Sequence, residues 1–580
     1  LPAARRILQT ASIVAVATAL VAVLAVMLAP SAQAAPGVAI GIEQNGGMHE
    51  PVRRAEILDA EQAAGAKVIR ILLRYDQIAT CDPGAAGTDS TNACYDFGIS
   101  DAVVQGAEAR GMKVLLSIYG VPSWKFDGPE NYLGNTDAQF SSFVASYADF
   151  AQAAATRYDG RHGQPRVEQW TIWNEPNGSF FQPRWVDGAL VGPARYARMY
   201  DAAARRIKAV DPTLLVAVGP TAPIASSLPP VRFAQEALPE LQRLGSPIDA
   251  WAHNAYMGKQ SPWRTTIKSP YVGLGNVDDL VAELDRFSVT SSTKLWITEF
   301  GYQTAVEDKQ IMSESQQALL LTDVIRFAHW HPRITTFIWY SLFDDEASSG
   351  PYGFQSGLYR SASNRCDGSF CPKEAAAHFQ HTLWVSPVSA GKVTLWGEGR
   401  LSPTNTRLFL RMPGKDWKAY RNPGTATSGT VQVRVKLVVG MQAAVCDVKC
   451  GPVRTLAATV AGGGGTSKVK RQRLRSVALG RRVSLSRGIA YAVPCRDCRV
   501  TAFVLAKGRT SNIRSARRKQ VVVARAKVRR TATRSTVRLA FTRGARRELS
   551  RVRTSKLTIR TTIRYADGRI VVADRPLVLR

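Results

Sequence analysis

The run Trp170-Thr171-Ile172-Trp173-Asn174-Glu175-Pro176-Asn177 decides how this chain is read. Its first four residues are apolar or β-branched and uncharged, the composition of a parallel strand buried on both faces. The character then changes at once: an acid appears, with the loop-forming Pro176-Asn177-Gly178 behind it. The same succession recurs in Leu295-Trp296-Ile297-Thr298-Glu299-Phe300-Gly301, where the acid lies 124 residues further on. A carboxylate at the C-terminal tip of a buried strand is where a (β/α)8 barrel keeps its reactive groups.

Working outward, Val38 to about Tyr340 alternates strand-like runs with amphipathic stretches. Eight strands are expected near 38–42, 67–73, 112–118, 167–173, 214–219, 248–256, 294–299 and 334–341. Each gap holds a helix and a loop, as parallel strands require. Within Thr136–Tyr158, the residues Phe140, Phe143, Val144, Tyr147 and Phe150 share one helical face. An open doubly wound sheet would put a Gly-rich phosphate loop after its first strand, and Gly41-Ile42-Glu43-Gln44-Asn45 is not one. The expected fold class is therefore α/β, a TIM barrel, over residues 35–384, with a last helix at Lys373–Leu383.

From about Trp384 the period becomes two, as in Val393-Thr394-Leu395-Trp396 and Val431–Leu437. One or two small all-β, sandwich-like modules are expected, at 385–461 and, with the flexible Gly462–Gly465 at its start, at 462–580. Residues 434–450 and 482–498 agree at 7 of 17 positions at an offset of 48. A repeated small β-unit and a chance likeness of two strand-turn-strand patterns both account for that.

A length of 580 residues calls for two or three domains. The net charge of +31 is unevenly spread: residues 466–580 hold 33 Lys and Arg against 4 acids, leaving the rest near neutral at +2. That cationic tail has 27 Arg and only Tyr491, Phe503, Phe541 and Tyr565 as aromatics. Single-strand nucleic-acid binders interleave aromatics with base, which this tail does not do. An anionic cell-wall polymer is the partner expected of it, the bland alternative being a solvated face.

Arg5-Arg6, the uncharged stretch 11–30 and Ala32-Gln33-Ala34 before Ala35 have the order of a signal peptide over 1–34. If uncleaved, the segment is nearly long enough to act as a membrane anchor. A secreted or envelope-associated protein is the expectation. Eight cysteines fall into close couples, Cys81 with Cys94, Cys366 with Cys371, Cys446 with Cys450 and Cys495 with Cys498, a disulfide pattern for an exported chain. The last four have an alternative as a zinc site.

Two carboxylates at one barrel mouth are the equipment for cleaving a glycosidic bond. Glu175 is the expected general acid and base, since proton donation near neutral pH needs a raised pKa, and Trp170 and Trp173 offer an apolar wall. Glu299 is the expected nucleophile, and Arg70 on strand two its cationic partner, because a buried Arg is rare unless paired. His253 and Tyr256 at the end of strand six are placed to orient Glu299 or touch sugar hydroxyls, and Asn174 to bond a sugar 2-hydroxyl. Trp339 on strand eight is either a sugar platform or core, and Glu43, Asp76, Asp344 and Asp345 are substrate contacts or loop structure.

With these residues in place, the region 38–384 resembles secreted bacterial glycoside hydrolases of clan A, the cellulase-like family 5 and the xylosidase-like family 39. Trp173-Asn174-Glu175-Pro176 matches the family's acid/base motif and Thr298-Glu299-Phe300-Gly301 its nucleophile motif. Arg70, Trp339, the turn Pro122-Ser123-Trp124, Gly357-Leu358 and Pro372-Lys373 also match. His253-Asn254-Ala255-Tyr256 departs from the usual His-Pro-Tyr, and Tyr119 stands where many members carry His. The resemblance implies hydrolysis of a β-glycoside by double displacement, with carboxyl groups roughly 5–5.5 Å apart. It implies substrate contact at Trp124 and Trp339, and no metal or organic cofactor. A barrel that binds carbohydrate at the envelope without turning it over is the rival reading, and the two intact motifs weigh against it.

Overall fold

The computed structural model describes residues 37–223, 228–306, 309–346, 353–387, 391–420, 429–456, 489–493, 498–506, 521–530, 535–551, 555–565 and 570–579. Its contacts divide the chain into two compact units, Leu1–Val460 and Ala461–Arg580.

In the first unit eight parallel strands close into a barrel: β1 (Ala39–Glu43), β2 (Val68–Arg74), β3 (Lys113–Tyr119), β4 (Gln169–Ile172), β5 (Leu215–Thr221), β6 (Ala250–Asn254), β7 (Lys294–Phe300) and β8 (Ile334–Tyr340). Each pairs with its neighbours in sequence, and β8 closes on β1 with Ala39 opposite Thr336. The expected TIM barrel is the observed one, with strand ends moved by a few residues.

The crossovers between consecutive barrel strands carry α1 (Pro51–Ala64), α2 (Gly98–Glu108), α3 (Asp137–Arg157), α4 (Gly192–Val210), α5 (Pro230–Leu244), α6 (Asp278–Leu284) and α7 (Glu314–Trp330). Helix α3 begins where the sequence places it, because Thr136 accepts from the Gln139 amide in a capping box. Its Phe140, Phe143, Tyr147 and Phe150 are buried in the layer between strands and helices.

Strand alternation separates two cores. Val68, Leu115, Ala217, Ala250, Ala252, Trp296 and Ile338 fill the barrel interior. Ile69, Ile71, Leu116, Trp170, Trp251, Leu295, Ile297, Phe337 and Trp339 belong to the outer layer under the helices. This parity determines which side chains can reach the mouth.

The last helix is shorter than expected. It is α8 (Glu374–Gln380), and the chain passes directly into β9 (His381–Val385). That strand pairs with β10 (Lys392–Gly399), which pairs with β13 (Thr430–Lys436). A second sheet holds β12 (Trp417–Tyr420), β11 (Arg407–Arg411), β14 (Met441–Cys446) and β15 (Arg454–Leu456) in that order. Leu383, Val393, Leu395, Leu408, Leu410, Met441 and Val445 from the two sheets share one core.

This module is packed on the barrel's α7, α8 and the end of α1. Arg326 lies 5.6 Å from the Trp384 ring and 5.2 Å from the Trp396 ring. The Trp384 indole donates to Asp323, and Gln380 donates to the Ala63 carbonyl. Gly65, with φ +87, ends α1 so close to the module that a Cβ there would sit 2.7 Å from that of Arg400.

In the second unit six antiparallel strands form one sheet in the order β16 (Ile489–Val493), β19 (Ser535–Phe541), β18 (Val521–Arg530), β17 (Cys498–Ala506), β20 (Ser555–Tyr565) and β21 (Ile570–Leu579). A short helix, α9 (Arg543–Leu549), follows β19.

Disulfides join Cys81 to Cys94, Cys366 to Cys371 and Cys446 to Cys450. The third removes two of the four cysteines from the zinc alternative. Cys495, the signal-like segment 1–34 and most of the second copy of the internal echo lie outside the described residues. Among the described residues no helix is long and apolar enough to cross a membrane.

Candidate active site

Glu175 follows β4 in a turn that holds two non-glycine residues at positive φ, Trp173 at 73° and Glu175 at 49°. Such conformations cost of order 1–3 kcal/mol each and persist only where neighbours over-determine them. Here the Glu175 amide donates to the Pro220 carbonyl at 2.9 Å, and the Gly178 amide donates back to the Glu175 carbonyl at 2.8 Å. Asn177 clamps the loop by donating to the carbonyls of Ala222 and Leu228 and accepting from the Ala222 amide. The Trp173 ring is buried against Tyr119, Tyr147 and Phe181.

Glu299 reaches the mouth by a different device. Simple alternation after Leu295 and Ile297 would send residue 299 outward. The register instead shifts by one against both neighbours, pairing Asn254 with Glu299 and Trp339 with Phe300. One extra residue in β7 re-aims the carboxylate inward and returns Phe300 to the outer core. Gly301 is required directly afterwards, since a Cβ there would lie 2.2 Å from the Tyr340 carbonyl oxygen.

Arg70 organises the centre. It is fully buried, and its Nη1 donates to Glu299 Oε1 at 2.7 Å and to Glu43 Oε2 at 2.5 Å. Its Nη2 donates to Asn174 Oδ1 at 2.8 Å, and its Nε to Ser117 Oγ at 2.9 Å, which also accepts from Thr171. Burial alone would lower the guanidinium pKa, but the carboxylates of Glu43 and Glu299 outweigh it and the group is charged. Because Arg70 holds the Asn174 oxygen, the amide nitrogen is the end left for a ligand.

The other oxygen of Glu299 accepts from the Tyr256 hydroxyl at 3.0 Å. Burial, and then the Glu299 charge, push the Tyr256 pKa well above its usual value, so the phenol stays a donor. Glu175 Oε1 accepts from Asn254 Nδ2 at 2.9 Å, and Thr298 fixes that amide by donating to Asn254 Oδ1 at 2.9 Å. Burial pushes Glu175 up to about 7 and the negative charge of Glu299 adds to it, against smaller opposing pulls from Asn254 and Arg70. Glu43 is pushed up to about 8, again chiefly by burial. Three acids thus surround one cation, and a site of that composition keeps a proton near neutral pH.

Arg70, Asn174, Glu175, Tyr256 and Glu299 are thus brought together at the mouth. Three expected contacts do not join them, two for the same reason. His253 and Trp339 share the outward parity of Trp251 and Phe337 and are wholly buried. His253 Nδ1 faces Thr221 Oγ1 at 2.9 Å and Nε2 faces the Val272 carbonyl at 3.1 Å, while burial lowers its pKa to about 4. Trp339 donates to the Ser356 carbonyl and packs on Phe300 and Tyr302. The inward places belong to their neighbours Asn254 and Tyr340, and parity from Ala250, Ala252 and Ile338 is the signal that would have found them. Trp124 is half-buried on Tyr75, its indole donating to the Ala79 carbonyl, so it braces the loop after β3.

Of the rival acids, Glu43 belongs to the centre. Asp76 is paired with Arg74, Asp344 is bound by the Lys373 ammonium at 2.9 Å, and Asp345 accepts from the Phe354 amide. These three are loop structure.

Residues 32–320 match the Cellulase family, glycosyl hydrolase family 5. Similar solved structures include a family 39 glycoside hydrolase from the gut symbiont Bacteroides cellulosilyticus WH2, at 15% identity over 71% of this chain and 81% of that one, TM-score 0.45. A glucosidase from Croceicoccus marinus is 17% identical over 84% of this chain and 90% of that one, TM-score 0.44. Xylanase 10B from Thermotoga petrophila RKU-1 is 14% identical over 59% and 92%, TM-score 0.40. No curated protein matches the sequence.

Proposed function

From a barrel that is that of a clan A glycoside hydrolase, we propose that the chain cleaves β-glycosidic bonds with retention, using Glu175 as acid and base and Glu299 as nucleophile. One observation carries the assignment: the two carboxylates share a mouth but differ in partners. Glu299 takes donors from Arg70 and Tyr256, while Glu175 takes one from Asn254 and is held protonated to about 7 by burial and the charge of Glu299.

In the first step a Glu299 oxygen bonds to the anomeric carbon as the bond to the leaving oxygen breaks, and Glu175 gives that oxygen its proton. In the second, the ionised Glu175 takes a proton from water, the water oxygen bonds to the anomeric carbon, and the Glu299 ester bond breaks. Asn174, held by Arg70, is placed to bond the sugar hydroxyl beside the reacting carbon. The three disulfides support a further part of the reading, that the enzyme works outside the cytoplasm.

Chromogenic β-glycosides and natural β-linked oligosaccharides test the assignment. With an unactivated leaving group Glu175→Ala should lose about 10²–10⁴-fold in rate. Glu299→Ala should be inactive on both, and azide should restore a product of inverted configuration. Wild-type turnover in either variant sinks the proposal.

A further inference from the structure

The six-stranded sheet of the second unit is divided by charge, and its backbone register shows how. In β17, Arg499 is opposite Arg529 of β18 on one side and Arg564 of β20 on the other. Two residues along, Thr501 lies between Lys527 and Thr562, and two further Phe503 lies between Arg525 and Arg560. These three rows share one face, since residues two apart in a strand do. The opposite parity holds Ala502, Val504, Ala524, Leu539, Phe541, Leu557 and Ile559, all buried, with Arg530 and Arg575 as its strand cations. Ala540, opposite Arg525 on the charged face, is exposed. Asp574, opposite Arg560, is the one acid among the described strand residues of this unit.

Three arginines side by side about 4.8 Å apart, with no acid in the row, are a standing electrostatic cost to the fold. A bound polyanion relieves it. The geometry points to this face as a docking surface for an acidic polysaccharide bearing carboxylates. Guanidinium groups match planar carboxylates with two parallel bonds, and Arg outnumbers Lys 27 to 6 in residues 466–580. The two Arg rows lie four residues, about 13 Å, apart along the strands, so a chain crossing them meets cations at both ends of the face. Phe503 occupies the middle of the second row, the residue type on which a sugar ring rests. Binding here does not depend on the chemistry proposed for the barrel.

The test uses the full chain, with polygalacturonate immobilised on beads as probe. The wild type should bind at low salt and be released as salt rises. R499Q/R529Q/R564Q should bind at least tenfold more weakly, with an unfolding midpoint no lower than wild type because like charges have been removed. R530Q/R575Q, on the opposite parity, should stay within about twofold of wild type on the same reasoning. Equal binding by the triple variant and wild type overturns the proposal, as does an equal loss in R530Q/R575Q. Tighter binding of wild type to duplex DNA or polyphosphate than to polygalacturonate at the same salt overturns it too.

Discussion

Two of the arginines buried in the first unit, Arg70 and Arg400, have surroundings that are mirror images. At the barrel mouth one cation, Arg70, is shared by Glu43 and Glu299, with Glu175 nearby. Where the module meets the barrel, one carboxylate, Glu398, is shared by Arg400 and His329, the latter at 3.1 Å. Arg400 also donates to Thr382 at 3.1 Å and lies 4.8 Å over the Phe379 ring. The electrostatic result inverts accordingly. Burial works against the charged form of all three acids, but at the seam Arg400 and His329 outweigh it and hold Glu398 below its ordinary value, whereas at the mouth Glu43 rises to about 8 and Glu175 to about 7. Burying charge is common to both places. A surplus of acid over base, open to a cleft, belongs to the mouth alone, and that surplus keeps a transferable proton.

Replacing each arginine by Met separates the two roles most sharply. Removing one partner from a buried ion pair costs about 3–5 kcal/mol, so both variants should unfold at lower denaturant. Only Arg70→Met should also lose turnover, by about 10²-fold or more, the scale of deleting one preorganised donor. Arg400→Met should keep the wild-type kcat/KM in the fraction that remains folded. Equal catalytic loss in the two variants would break the comparison.

A smaller effect follows from the sign of the Glu175 shift. A carboxyl raised from 4.5 to about 7 on folding makes the native state bind more protons than the unfolded state between those values, so this group lowers stability as pH rises through them. Glu175→Gln should therefore unfold at a higher temperature than wild type at pH 8 and show less difference at pH 4. The alkaline limb of wild-type kcat/KM should fall near 7, where the proposed acid loses its proton. Asn254→Ala removes a donor that favours the ionised form, and should move that limb upward. A limb unmoved in Asn254→Ala, or a Glu175→Gln protein less stable at pH 8, would contradict the account.

How far the sequence reaches differs between the same two regions. The barrel is legible because eight apolar runs at regular spacing leave few topologies, and Glu175 and Glu299 because each ends such a run. What the runs do not show is direction at their tips. Extrapolating β6 and β8 put His253 and Trp339 at the mouth, one residue from Asn254 and Tyr340, which share the parity of the inner core. Glu299 reaches the mouth although parity alone argues against it, through a bulge in β7 that is a property of packing rather than of composition. The seam was not legible at all. Arg400, Glu398 and His329 come together from a strand and a helix far apart in sequence, and no local pattern marks them. The helix expected over Lys373–Leu383 takes in the first three residues of the module's first strand for a related reason: His381–Val385 continues the apolar pattern of α8 without a break.

The smallest expected effect tests what Glu43 contributes. It shares the Arg70 Nη1 with Glu299, and Asn45 donates to its other oxygen at 2.6 Å. Below about 8 it carries its proton and leaves the guanidinium charge to Glu299. Glu43→Gln is the permanent neutral form of the same shape, so at pH 6 its kcat/KM should lie within a few-fold of wild type, since the charge state hardly changes. Toward pH 9 the two should diverge in stability, because wild type must then ionise a second buried acid beside one arginine and the variant need not. A loss of 10²-fold at pH 6, the scale of removing a group that acts directly on the substrate, would instead give Glu43 a role in the reaction itself. The mouth would then hold three working acids, and its contrast with the seam would be one of chemistry as well as charge.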